Sequence, residues 1–87
     1  MVMQGVSWVR LNEAVAKRLA ELLAERSMTQ YQLFLKSGVP KSTIANLMHE
    51  KYDSVKLRVL HELCQGLDIS LPAFFDSSYF EECNLEP

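Results

Sequence analysis

One stretch, TQYQLFLKSGVPKSTIANLMHE at residues 29–50, leaves this chain few ways to fold. Thr29 followed three residues later by Gln32 is a capping box, which predicts a helix over about Gln30 to Ser37. Gly38 offers the left-handed backbone that ends a helix without steric cost. Pro40 suits an early helical position, where its missing N–H is no loss. A second short helix then runs from near Pro40 or Lys41 to about His49. Leu33 points inward, and Phe34 and Leu35 call for cover. Ile44 and Leu47 form the buried stripe of the second helix with Met48 beside it. Lys41, Ser42, Ala45, Asn46 and His49 are left for the surface.

Amphipathic helices surround this stretch. Val15, Leu19, Leu22 and Leu23 mark one face of a first helix, Glu13 to Glu25, with Asn12 as its cap and Leu11 leading in. Trp8 and Val9 precede it as an apolar staple. Ala16 and Ala20 permit close approach, while Lys17, Arg18, Glu21, Glu25 and Arg26 read as a solvated face. Val55, Val59, Leu60, Leu63, Cys64 and Leu67 predict a fourth helix over Val55 to Leu67, capped by Asp53 or Ser54 and weakened near its end by Gly66. Ser70 caps a fifth, Leu71 to Phe75, with Pro72 near its start. No strand alternation persists anywhere. The fold expected is all-α, with residues 11–76 as one domain, 1–10 as an N-terminal arm and 77–87 as an acidic tail. That tail is aromatic at Tyr79 and Phe80, and is expected either to remain disordered or to pack on the domain or on a second subunit.

Composition narrows the function classes. The 87 residues suffice for one small domain, and 48% hydrophobic content supplies a core without metal or disulfides. The net charge of −2 gives no hint of a nucleic-acid partner. Four of the 11 acidic residues, Asp76, Glu81, Glu82 and Glu86, lie in the last twelve positions, so residues 1–75 are mildly basic. Two cysteines, Cys64 and Cys83, are too few for a disulfide scaffold. His49, His61, Cys64 and Cys83 lack the paired short spacings of a zinc site, and no cofactor is expected. No nucleophile elbow or carboxylate pair is present, which argues against an enzyme. The absence of a signal peptide and of a transmembrane run makes a cytoplasmic location, without membrane contact, the expectation.

Two short helices joined by a tight Gly-containing turn form a helix-turn-helix. The segments M-T-Q-Y-Q-L at 28–33, S-G-V at 37–39, S-T-I-A-N-L at 42–47 and V-L-H-E-L-C-Q-G-L-D-I-S-L-P-A-F-F at 59–75 stand in an order and spacing that resembles the Cro/phage-repressor-type, or xenobiotic-response-element (XRE), family of transcriptional regulators. The resemblance covers residues 13–76. It implies a compact five-helix, lambda-repressor-like DNA-binding domain whose third helix enters the major groove of double-stranded DNA. It further implies base reading by Lys41, Ser42 and Asn46, and phosphate contacts from Gln30, Thr43, His49, Lys51 and Tyr52. These roles suit the side chains: Lys donates to guanine, Asn pairs with adenine, and Ser bonds to either kind of base.

The function so implied is a sequence-specific regulator, more naturally a repressor, bound as a homodimer to an inverted-repeat operator and controlled by its concentration or by a regulatory protein partner. The rival expectation is a protein-interaction module on the same fold, an antitoxin or anti-repressor component, suggested by the weak basic charge and the apolar-acidic tail. Three positions leave the family pattern. Phe34 replaces a small Ala and needs extra room or an outward rotation. Leu23 and Met48 replace a buried Arg/Glu pair between the first and third helices. Glu50 replaces a Gly after the third helix, which implies either a longer helix or a left-handed residue.

Overall fold

The computed structural model describes residues 8–86. The expected arm over 1–10 therefore lies mostly outside the described residues. Five helices follow in chain order: α1 (Leu11–Glu25), α2 (Gln30–Ser37), α3 (Lys41–Met48), α4 (Leu57–Leu67) and α5 (Leu71–Phe75). Two single-turn 3-10 segments, Ser78–Phe80 and Glu82–Asn84, complete the described chain.

Local chemistry sets the central helices. The Thr29 hydroxyl accepts from the Gln32 N–H at 3.0 Å, and the Gln32 side chain accepts from the Thr29 N–H at 2.9 Å. Both halves of the capping box are thus made, and two orphan donors of the helix end are satisfied. Gly38 ends α2 at φ 77°. Pro40 stands one position before the helix, as the N-cap of α3, rather than inside it. Val39 in the turn is buried, and the Ser37 hydroxyl accepts its N–H at 3.1 Å.

The core gathers Val15, Leu19, Leu22 and Leu23 of α1, Leu33 of α2, Ile44 and Leu47 of α3, Leu60, Leu63, Cys64 and Leu67 of α4, and Phe74 of α5. Truncating one such leucine or isoleucine to alanine costs about 2–5 kcal/mol. Leu23 and half-buried Met48 both join this core, an apolar join between α1 and α3. Leu35 stays 61% exposed, so the cover expected for it is not provided. Gly66 has a spatial reason to be glycine: a Cβ there would lie 2.8 Å from the Ser37 Cβ, because α4 passes directly against the end of α2.

Three expectations need correction. Helix α1 begins at Leu11 with Arg10 as N-cap, and the Glu13 carboxylate accepts the Arg10 N–H at 3.4 Å. Asn12 is therefore not a cap. It is buried, and its Nδ2 donates to the Tyr52 carbonyl at 2.7 Å. Helix α4 starts at Leu57, after an extended Lys56, and neither Asp53 nor Ser54 caps it. The loop cannot wind earlier while Tyr52 is tied to Asn12 and Val55 is drawn onto the core.

Nor is the polar face of α1 merely solvated. Arg18 donates to the Phe74 carbonyl at 2.8 Å and the Ala73 carbonyl at 2.9 Å, and pairs with Glu21 at 2.6 Å. Arg26 donates to the Leu67 carbonyl at 3.0 Å. Each guanidinium satisfies carbonyls at the end of another helix, where positive charge is also favoured.

Finally, Val9 stands directly before the Arg10 cap and is bound through its backbone. It pairs with the other end of the chain: its N–H donates to Asn84 at 3.0 Å and its carbonyl accepts from Glu86 at 2.8 Å. Phe80 packs on the core and closes an aromatic cluster with Phe74 and Phe75, at 5.9 and 4.9 Å between ring centroids. The described part of the tail is thereby folded against the domain.

Candidate nucleic-acid interface

Helix α3 stands on Ile44 and Leu47, both buried, and this fixes which residues face outward. Lys41 and Ser42 are exposed in its first turn, and Thr43 and Asn46 are half-buried along its side. No side chain caps the α3 N-terminus, so its first backbone donors are served by solvent or by a ligand. His49, the C-cap, is exposed, as are Lys51 and Tyr52 in the loop that follows. Gln30 is the first residue of α2 and half-buried. All eight residues singled out from sequence thus lie on α3, on the loop after it, or at the start of α2.

The Lys41 end rests on aromatic rings. Its Nζ sits 5.3 Å from the centre of the Tyr31 ring and 5.7 Å from that of Phe34, within the range of a cation–π interaction. The two rings are 6.0 Å apart at 49°. Phe34 is half-buried and touches the core while its ring reaches Lys41. A large residue is thus accommodated at that position, between the core and the Lys41 side chain.

The Asn46 end is held by hydrogen bonds. Asn46 Nδ2 donates to the Tyr52 hydroxyl at 3.0 Å. The Lys51 N–H donates to the Asn46 carbonyl at 2.9 Å, which folds the loop back onto the helix. That fold-back requires Glu50 at φ 58°, so of the two expected outcomes the left-handed residue is the one adopted. Such a conformation costs a non-glycine residue about 1–2 kcal/mol.

Charge concentrates here despite the acidic total. Residues 36–58 hold Lys36, Lys41, Lys51, Lys56 and Arg58 against Glu50 and Asp53. A cleft of about 540 Å³ runs between α3 and α4, bordered by Thr43, Leu47, Lys51, Tyr52, Ser54, Lys56 and Val59 together with one carboxylate, Asp53. It places lysines and hydroxyls beside the helix, donors suited to phosphate oxygens.

Burial pushes the Cys64 thiol up, away from the reactive thiolate. His61 is exposed, and among the described residues no three His, Cys, Asp or Glu side chains converge as a metal site would require. No described helix is long and apolar enough to cross a membrane.

Sequence reasoning missed Asn12 and the Tyr31–Phe34 pair as supports of this surface. An aromatic pair three residues apart on a short helix is a signal that could have drawn attention to the second. Nothing local marks the first.

Residues 18–73 match the model of the Cro/C1-type helix-turn-helix DNA-binding domain. Among solved structures, the wild-type restriction-modification controller protein C.Esp1396I superposes with a TM-score of 0.71 at 24% identity, over 76% of this chain and 84% of that one. A tyrosine-to-phenylalanine mutant of the same protein gives 0.72 at 23% identity, over 79% and 86%. At these identities the likeness is one of fold. No curated protein sequence matches the chain.

Proposed function

The chain belongs to the Cro/C1-type helix-turn-helix DNA-binding family, and from that premise we propose that it is a sequence-specific transcriptional repressor acting as a homodimer on an inverted-repeat operator. The observation that carries this is the posture of α3, buried on Ile44 and Leu47 with Lys41 and Ser42 exposed on its outer side. In this reading Lys41, Ser42 and Asn46 read base edges in the major groove, and Gln30, Thr43, His49, Lys51 and Tyr52 contact phosphates. The phosphate set fixes the register of the protein on the duplex, and the base set supplies the preference. The protein works in the cytoplasm without a cofactor and carries out no catalysis.

Self-association is supported by an apolar patch formed where α1, α4 and α5 meet. Leu11 is 60% exposed, Leu57 72% and Phe75 38%, around a groove of about 200 Å³. Large exposed side chains gathered in this way suit a protein partner, and a second copy would cover them. Two such copies present two α3 helices to grooves about 34 Å apart, one turn of DNA.

The test is selection from a randomised duplex library followed by equilibrium binding. A two-fold-related sequence should emerge, bound with a salt dependence that Lys51→Ala lowers by about one unit of slope. If no duplex is selected at low salt while the protein is isolated with a different protein bound, the interaction-module reading replaces this one.

A further inference from the structure

Asn12 is the one buried polar side chain among the described residues. It lies in the first turn of α1, far in sequence from the helix-turn-helix, yet its amide holds the backbone of Tyr52 at 2.7 Å. The Tyr52 hydroxyl in turn accepts a hydrogen bond from Asn46 Nδ2 at 3.0 Å. Two hydrogen bonds, bridged by Tyr52 itself, therefore join α1 to the last turn of α3. We infer that Tyr52, anchored by Asn12, is a positioning residue that sets the direction in which Asn46 presents its amide, and so fixes which base Asn46 prefers. This rests on Asn46 being a base-reading residue.

A primary amide offers one acceptor oxygen and two donor protons. A free asparagine turns about its last bond and shows either edge outward. With one Nδ2 proton committed to Tyr52, the groups left for a ligand are Oδ1 and the other Nδ2 proton. That acceptor–donor pair matches adenine in the major groove, whose N6 donates and whose N7 accepts. Guanine shows two acceptors there and fits the outward pair less well. The tyrosine can hold this geometry only if its own loop is fixed. Asn12 fixes it from below, and the left-handed turn at Glu50 with the Lys51-to-Asn46 backbone bond fixes it from the side.

The experiment has two readouts on the full chain. The first is the side-chain amide resonances of Asn46 in the DNA-free protein, compared with Tyr52→Phe, which keeps the ring and removes the acceptor. One of the two Nδ2 protons should shift upfield on losing the hydroxyl. Unchanged resonances would overturn the inference. The second is competition binding to the selected duplex with each of the four base pairs placed opposite Asn46, for the native chain, Tyr52→Phe and Asn46→Ala. The native chain should prefer adenine by about tenfold or more, and both variants should lose most of that ratio.

A uniform loss over all four duplexes in Tyr52→Phe, with the ratio intact, would mean a phosphate contact only and would overturn the positioning role. In that outcome a flattened ratio in Asn46→Ala leaves base reading standing. If Asn46→Ala keeps the native ratio, base reading by Asn46 falls and the inference falls with it. A native preference for guanine would contradict the amide direction.

Discussion

Lys41 and Asn46 sit toward opposite ends of α3 and are held by forces of different kinds. At the first end a charged amine floats over two aromatic rings from α2, at 5.3 and 5.7 Å. At the second an amide is gripped by a hydroxyl at 3.0 Å, itself tied by its backbone to α1. A ring face attracts a cation without fixing its orientation, and a lysine on a flexible stem is a point charge in any case. Hydrogen bonds are directional, and an amide needs its direction fixed before it can tell one base from another. In the proposed reading the two ends thus take different tasks, the Lys41 end finding an acceptor within reach and the Asn46 end choosing among bases. They also depend on different parts of the scaffold, and substitutions can separate them.

The largest effect is expected from Gly66→Val. A branched side chain there meets the Ser37 Cβ and backbone and forces α2 away from α4. Overpacking of this kind costs about 1–3 kcal/mol, and the backbone contacts put it near the upper figure. Urea denaturation should show the loss. Because α2 carries Tyr31 and Phe34, the Lys41 end should loosen while the Asn46–Tyr52 bond persists, which amide and side-chain chemical shifts would report.

That contact also marks the limit of what could be read from sequence. The motif itself was legible because its determinants are local. Thr29 and Gln32 cap one helix, Gly38 ends it, and Ile44 and Leu47 place the next. The same holds for Ser70, whose hydroxyl accepts the Ala73 N–H at 3.2 Å and starts α5. What was not legible depends on partners distant in the chain. Asn12 has the chemistry of a cap, and only the fold brings Tyr52 to it. Arg18 has the spacing of a solvated residue, yet its partners are the carbonyls that end α5. Asp53 and Ser54 are good cap residues in a loop that tertiary contacts hold extended. The candidate site divides in the same way: its members followed from the motif, whereas the supports beneath them did not.

Next in size is Asn12→Ala, which bears on the other end of α3. It removes the donor to the Tyr52 carbonyl and should cost about 1–2 kcal/mol. Thermal unfolding measures the loss, and hydrogen exchange at Lys51 and Tyr52 should quicken while exchange in α2 does not. Equal quickening in α2 would mean that the two ends are not independently supported.

Glu50→Gly acts with the opposite sign. Glycine removes the side-chain cost of the left-handed turn at φ 58°, for a gain of about 1 kcal/mol. In a domain of this size that raises Tm by about 4–8 °C. A fall in Tm would show that the Glu50 side chain makes a contribution larger than its backbone cost.

Tyr31→Ala should be the mildest. An exposed cation–π contact contributes about 0.5–1 kcal/mol, and Lys41 keeps Phe34 beneath it. Stability should fall by no more than that. The Lys41 side chain should become more mobile in relaxation measurements, and affinity for duplexes should drop without any change in the preference at the base facing Asn46.

The claim on which all of this depends is that the outer side of α3 meets DNA. The most direct measurement is an amide chemical-shift titration of the full chain with the duplex it selects. The largest changes are expected at Lys41, Ser42 and Asn46, with smaller ones at Gln30, Thr43, His49, Lys51 and Tyr52. Changes centred instead on Leu11, Leu57 and Phe75, with α3 unmoved, would contradict it.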